Sequence, residues 1–192
     1  MKRIKFSKKL LIWIALIVAV IAIGTVVAYL FAKTNVIRNV FDIPYVQCEV
    51  EETFDDTTGV KSSIQIENTG NIDAYLRLRL ISYWKDGEGN IVGKPSSMPA
   101  ISYDSDNWIK GNGNTYYYKS SVAPHALTVN LLPTSPVTLR TDTFFDQTVY
   151  QVLEVIPEAV QAQPAGAATS LWGVTIETDG VITAAPGSTV TP

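Results

Sequence analysis

Ala74-Tyr75-Leu76-Arg77-Leu78-Arg79-Leu80-Ile81-Ser82-Tyr83-Trp84 is the stretch that decides the fold. Ala74, Leu76, Leu78 and Leu80 fall on one side of an extended chain, and Tyr75, Arg77, Arg79 and Ile81 fall on the other. Side chains alternate across a strand with a period of two, so this pattern predicts a strand lying against a core. Turn-forming residues bound it: Asn68-Thr69-Gly70-Asn71 before it and Lys85-Asp86-Gly87-Glu88-Gly89-Asn90 after it, with Ile91-Val92 starting the return.

Outward from this strand the same period recurs. Val46, Cys48 and Val50 alternate with Gln47, Glu49 and Glu51, which turns Cys48 toward the core as a small hydrophobe. After a turn at residues 55–59, residues 60–67 form a strand with Ile64 and Ile66 inward and Lys61, Gln65 and Glu67 on the less apolar side. Residues 93–107, rich in Gly, Pro, Ser, Asp and Asn, read as a long loop. Trp108-Ile109-Lys110 and residues 115–119 flank Gly111-Asn112-Gly113-Asn114, a hairpin turn. Leu127, Val129 and Leu131 alternate with Thr128 and Asn130, and residues 148–161 form a long two-faced strand. Residues 164–172 read as one short helix, with Pro164 in its first turn and Gly173 as its stop. About eight short strands and one helix near the C-terminus predict an all-β, jelly-roll or Ig-like antiparallel sandwich. Its expected limits are residues 44–176, with residues 177–192 a flexible tail.

The N-terminus has a different character. Lys2, Arg3, Lys5, Lys8 and Lys9 precede 23 uncharged residues, Leu10 to Ala32. As a helix these would span roughly 34 Å, enough to cross a bilayer. Length alone permits a permanent anchor. The flank Val26-Val27-Ala28 favours cleavage, with Val26 and Ala28 as the small residues of a signal-peptidase site and Tyr29 as the new first residue. Residues 1–28 are therefore a signal peptide or a membrane anchor. The basic end stays cytoplasmic and the following domain faces outward, extracellular or on the cell surface. Before cleavage, residues 10–32 hold the chain in the membrane. Cys48 lies too far from the apolar run for a lipobox, and Leu132-Pro133-Thr134-Ser135-Pro136 lacks the glycine of a sortase signal.

Charge and composition exclude several functions. Without residues 1–28 the chain carries 10 Lys and Arg against 18 Asp and Glu, a net charge of −8. Such a domain repels phosphate and is not a nucleic-acid binder. Cys48 as the one cysteine rules out an internal disulfide, and His125 as the one histidine rules out a histidine-rich zinc site. His125 follows Ala123-Pro124 in a turn, without partners at metal or catalytic spacing. No catalytic residue and no resident cofactor are expected. The oxygen-rich loops are the metal candidates: Asp86, Glu88 and Asn90 in one, Asp104 and Asp106 in another. Calcium is the ion such donors hold, although turn chemistry also accounts for them. Trp108 with Tyr116-Tyr117-Tyr118 reads as a core edge or as an aromatic platform for a carbohydrate or partner.

Several blocks occur in a specific order. They are Gly24-Thr25-Val26-Val27-Ala28-Tyr29, Cys48-Glu49-Val50-Glu51-Glu52, Ile66-Glu67-Asn68-Thr69-Gly70-Asn71-Ile72-Asp73-Ala74-Tyr75-Leu76-Arg77 and Tyr83-Trp84-Lys85-Asp86-Gly87-Glu88-Gly89-Asn90-Ile91-Val92-Gly93. Ala159-Val160-Gln161-Ala162 before Trp172-Gly173-Val174 completes them. Over about residues 20–176 the chain resembles the TasA/camelysin family of Gram-positive bacteria, whose signal peptides are handled by a SipW-type signal peptidase. The resemblance implies a jelly-roll sandwich, export, and self-association into biofilm-matrix fibres in which the freed N-terminal segment of one subunit is donated as a strand to the next. The donor here would be residues 29–43, with Val36, Val40 and Phe41 filling pockets. A sandwich edge accepts such a strand because its backbone groups are unpaired. The resemblance also offers a surface metalloprotease, for which no zinc motif is present in the sequence. A membrane-anchored binding module is the remaining alternative.

Overall fold

The computed structural model describes residues 8–33, 43–144 and 146–188. The expected donor residues Val36, Val40 and Phe41 lie outside the described residues. The chain divides into two compact units, residues 1–42 and 43–192.

The first unit contains α1 (Lys8–Lys33). Its window Ile12–Tyr29 has a mean hydropathy of 2.6 and is long and apolar enough to cross a membrane. Gly24-Thr25 does not interrupt it: the Thr25 hydroxyl donates to the Ala22 carbonyl at 2.9 Å, so the polar group is satisfied within the helix.

The second unit is built from antiparallel strands. β1 (Cys48–Asp55), β2 (Val60–Asn68) and a short strand at Val137–Thr138 form a three-stranded sheet. The larger sheet is organised by β3 (Ala74–Asp86), the strand predicted from its alternation. Following β3 in chain order are β4 (Ile91–Val92), β5 (Trp108–Lys110), β6 (Thr115–Tyr118), β7 (the strand Val137–Thr138), β8 (Thr141–Phe144) and β9 (Gln147–Gln161). The sheet runs β5-β6-β3-β9-β8, with β4 also paired to β3. β3 and β9 pair from Ala74↔Gln161 to Asp86↔Val149.

The two sheets enclose one core. Ile64 and Ile66 of β2 meet Leu76, Leu78 and Leu80 of β3, with Trp108, Tyr116 and Leu131. Burial of each such aliphatic side chain stabilises by about 2–3 kcal/mol. Opposite Leu76 and Leu78, on the outer face of the large sheet, Tyr75, Tyr117 and Val160 form a second cluster with α2 (Gly166–Trp172). Gly173 ends α2 at φ 68, the left-handed conformation that glycine adopts without strain, and its N–H donates to the Thr169 carbonyl. Pro164 lies two residues ahead of this helix, outside its first turn.

Three further expectations need correction. The first strand begins at Cys48, not Val46, and continues to Asp55. Residues 127–131 are not a regular strand, and their alternation breaks: Leu127 and Val129 are exposed while Thr128 and Leu131 are buried. The cause is side-chain substitution for backbone. Thr128 Oγ1 accepts the Ile66 N–H at 2.9 Å and Asn130 Oδ1 accepts the Ile64 N–H at 2.9 Å, so the ladder along β2 is completed by side chains. Residues 177–188 are not a loose tail. β10 (Thr175–Ile176) and β11 (Ile182–Ala184) form a hairpin, with Ile182 fully buried in the second cluster. Of the two readings of Trp108 and the three tyrosines the core edge is the one seen: Trp108 and Tyr116 are buried on one face of the sheet and Tyr117 on the other, so they do not form an open aromatic platform.

Candidate functional site

Successive residues of a strand present their backbone groups to alternate sides. Ala74 exchanges both backbone bonds with Val122, on the side away from β9, so the odd-numbered residues of β3 face β9. Their partners in β9 are the even-numbered residues. The odd-numbered residues of β9 therefore direct their N–H and C=O groups to its far edge. β8 covers that edge only from Gln147 to Tyr150, and the Gln151 N–H is taken by the Arg140 carbonyl at 2.8 Å. Beyond this point β9 has no strand partner on that side among the described residues.

A second edge lies close by. β1 pairs with β2 alone, so it too is an edge strand. Between β1 and β9 runs a cleft of about 800 Å3, lined by Val50, Glu52 and Phe54 from β1, Lys61 from β2, and Leu153 and Val155 from β9. Phe54 is 41% exposed, a large ring left open to the cleft. Apolar residues and unpaired backbone at one place are the properties of a surface that accepts an extended segment.

Lys61 is the unexpected member. The alternation of the sequence turns it away from Ile64 and Ile66, yet it is only 4% exposed. The reason is a bulge. Thr53 pairs with Ser63 but Phe54 pairs with Lys61, so Ser62 is left over and the faces exchange beyond it. The Lys61 ammonium donates to Glu52 Oε2 at 2.6 Å and to the Leu153 carbonyl at 3.0 Å, and lies 5.9 Å from the centre of the Phe54 ring. It thus joins the small sheet to the free edge of the large one. The sequence hides this arrangement: Val60, Ser62 and Ile64 share one face of an unbulged strand, which puts Lys61 on the other.

The Asn68–Asn71 turn holds the chain that leads into β1. Gly70 N–H donates to the Gln47 carbonyl and Asn71 N–H to the Tyr45 carbonyl. The Asn71 side chain does both jobs at once, accepting the Tyr45 N–H at 2.8 Å and donating to the Ile43 carbonyl at 3.1 Å. A Cβ on Gly70 would stand 2.7 Å from the Tyr45 carbonyl oxygen, so only glycine allows this approach.

The calcium candidates form two separate turns. Asp86 Oδ1 accepts the N–H groups of Glu88 and Asn90, and Oδ2 accepts from Asn90 Nδ2. Asp104 Oδ1 accepts the Asp106 N–H, and Oδ2 accepts from Asn107 Nδ2 at 2.7 Å. These bonds, led by the asparagine side chains, hold both carboxyls below their ordinary range. The oxygens a cation would need are thus already accepting the loops' own donors. Among the described residues no group of three or more His, Cys, Asp or Glu could hold a metal ion. His125 is exposed at φ 59, and its N–H donates to the Asn68 carbonyl. Cys48 is half-buried, and burial, followed by the charges of Glu158 and Glu49, raises its thiol to about 11. It therefore stays protonated at neutral pH. Val26, Ala28 and Tyr29 all lie inside α1.

No family model matches the chain, and neither any curated protein nor any solved structure matches it.

Proposed function

We propose that this chain is an exported structural protein, the subunit of a cell-surface or matrix fibre assembled by strand donation on a jelly-roll sandwich. The observation that carries the reading is the cleft between the free edges of β1 and β9. An extended segment laid there would pair its backbone with β9 and cover Phe54 and Val155. Such pairing supplies affinity through main-chain hydrogen bonds and specificity through alternate side chains. The resemblance to the TasA/camelysin family supports the same reading, with residues 29–43 as the donor. The apolar helix α1 is compatible with either a signal sequence or an anchor.

Electron microscopy of the purified, processed protein tests this. Fibres are expected, and deletion of residues 34–42 is expected to abolish them while the monomer stays folded. Monomers alone across a range of pH and concentration would remove the reading.

A further inference from the structure

The second unit has two unlike ends. β3 runs between them, with Ala74↔Gln161 at one end and Asp86↔Val149 at the other. Residues 43–47, the turn 68–73, the loop 121–127 and residues 161–167 meet at the first end. There the Gly70 N–H donates to the Gln47 carbonyl, the Asn68 N–H to the Ala126 carbonyl and the Ala162 N–H to the Asp73 carbonyl. In these segments Asp73 is the one carboxylate, and there is no Lys or Arg. The opposite end is acidic. The turns at 55–59 and 86–90 and the β8 hairpin carry Asp55, Asp56, Asp86, Glu88, Asp142 and Asp146, offset in part by Lys85 and Lys94. The uncharged end leaves Ile43, Tyr45 and Val46 exposed. They are not on a loose stretch: the Asn71 side chain bonds to Ile43 and Tyr45, and the Asn71 N–H donates to the Tyr45 carbonyl. A tyrosine among aliphatic side chains suits the boundary between water and lipid, where the ring is immersed and the hydroxyl stays wet. Ten peptide units separate Lys33, the last residue of α1, from Ile43, a reach of at most about 36 Å.

We propose that, while α1 is in the membrane, the uncharged end of the sandwich rests on the bilayer surface, with Ile43, Tyr45 and Val46 among the lipid headgroups and the six carboxylates facing away. The inference concerns the exported chain before cleavage and stands apart from fibre assembly. Two effects set the orientation. An anionic headgroup layer repels the acidic end and leaves the uncharged end free to approach. Apolar side chains that enter the interface are withdrawn from water. Three such side chains bind weakly by themselves, but the tether makes the encounter intramolecular, so a weak contact suffices. Cleavage after Ala28 removes the tether, and the docking lapses with release.

Fluorescence quenching tests this on the full chain in vesicles of phosphatidylcholine and phosphatidylglycerol whose headgroups carry a nitroxide. Cys48→Ala removes the native thiol. A fluorophore is attached either at Ala123→Cys, on the uncharged end but distant from the tether in sequence, or at Glu88→Cys on the acidic end. β3 holds the two ends about 40 Å apart, so quenching at least threefold stronger is expected at Ala123→Cys. Ile43→Glu with Tyr45→Glu changes exposed side chains only. The pair should lower quenching at Ala123→Cys to the Glu88→Cys level while the chain still floats with the vesicles. Quenching that survives the double substitution shows a tether without docking and overturns the proposal, as does equal quenching at the two ends. Quenching at neither end of a chain that floats also overturns it, and leaves the exposed residues to a protein partner. A chain that does not float with the vesicles overturns the membrane span and the docking together.

Discussion

Asn68 is fully buried, and both ends of its side-chain amide are engaged. Its Nδ2 donates to the carbonyls of Ile72 and Val122, each at 2.8 Å, and its Oδ1 accepts the Gly70 N–H at 3.0 Å. The backbone of the same residue bonds to Ala126 and His125. One side chain therefore ties the turn between β2 and β3 to the loop carrying Val122, and so fixes where β3 begins. Truncation would take from the Ile72 carbonyl its side-chain donor and from the Val122 carbonyl and the Gly70 N–H one of two bonds each, since Val122 also accepts the Ala74 N–H and Gly70 also donates to Gln47; a bond that water cannot replace costs about 1–3 kcal/mol. Partial relaxation reduces the sum. Asn68→Ala is expected to lower stability by about 2–4 kcal/mol, read as a shift of the urea midpoint at unchanged slope. Asn71 stands three residues on and is chemically identical, but it holds the exposed residues Ile43 and Tyr45 and fixes the path into β1 rather than the core.

At the scale of elements, the hairpin β10–β11 behaves as part of the sandwich. Ile182 and Ala185 are buried against Val160 and Trp172, and the Tyr75 hydroxyl donates to the Gly180 carbonyl at 2.8 Å. Removing residues 177–192 would uncover the outer face of β3 at Tyr75. A loss of about 3–5 kcal/mol is expected, comparable to deleting one large core side chain, and thermal unfolding of the truncated chain measures it. Unchanged stability would return these residues to the status of a frayed end. The hairpin was illegible in the sequence because strands of two and three residues are too short to display a period. β3 and β9 were legible because 13 and 15 residues display it several times over. Residues 127–131 misled for another reason: hydrophobic spacing says nothing about a Thr128 or Asn130 oxygen taking the place of a carbonyl. The cleft was invisible for a third. It is made by the edges of β1 and β9, about 100 residues apart in the chain, and by a bulge that turned Lys61 inward.

For the whole molecule the decisive question is what becomes of α1. Its 26 residues extend about 39 Å at 1.5 Å per residue, more than the roughly 30 Å of bilayer hydrocarbon. The helix is apolar and exposed through Ile12–Tyr29, as a lipid-facing span requires. Val26, Ala28 and Tyr29 lie in its C-terminal third, where the backbone is bonded within the helix, so a peptidase must unwind the last turns to reach them. Two outcomes follow from one event. Under the proposed strand donation, cleavage after Ala28 would free residues 29–43 to pair with another subunit, whereas retention would tether them to the membrane. Mass spectrometry of the exported protein is expected to find Tyr29 as its first residue. Ala28→Trp puts a bulky ring where a small residue is needed, and should leave the full-length chain in the membrane fraction without fibres. The sandwich itself should be unaffected, because residues 43–192 form a compact unit of their own. Fibres formed by the uncleaved Ala28→Trp chain would show that processing does not control assembly, and would move the switch from α1 to the accepting edge of β9.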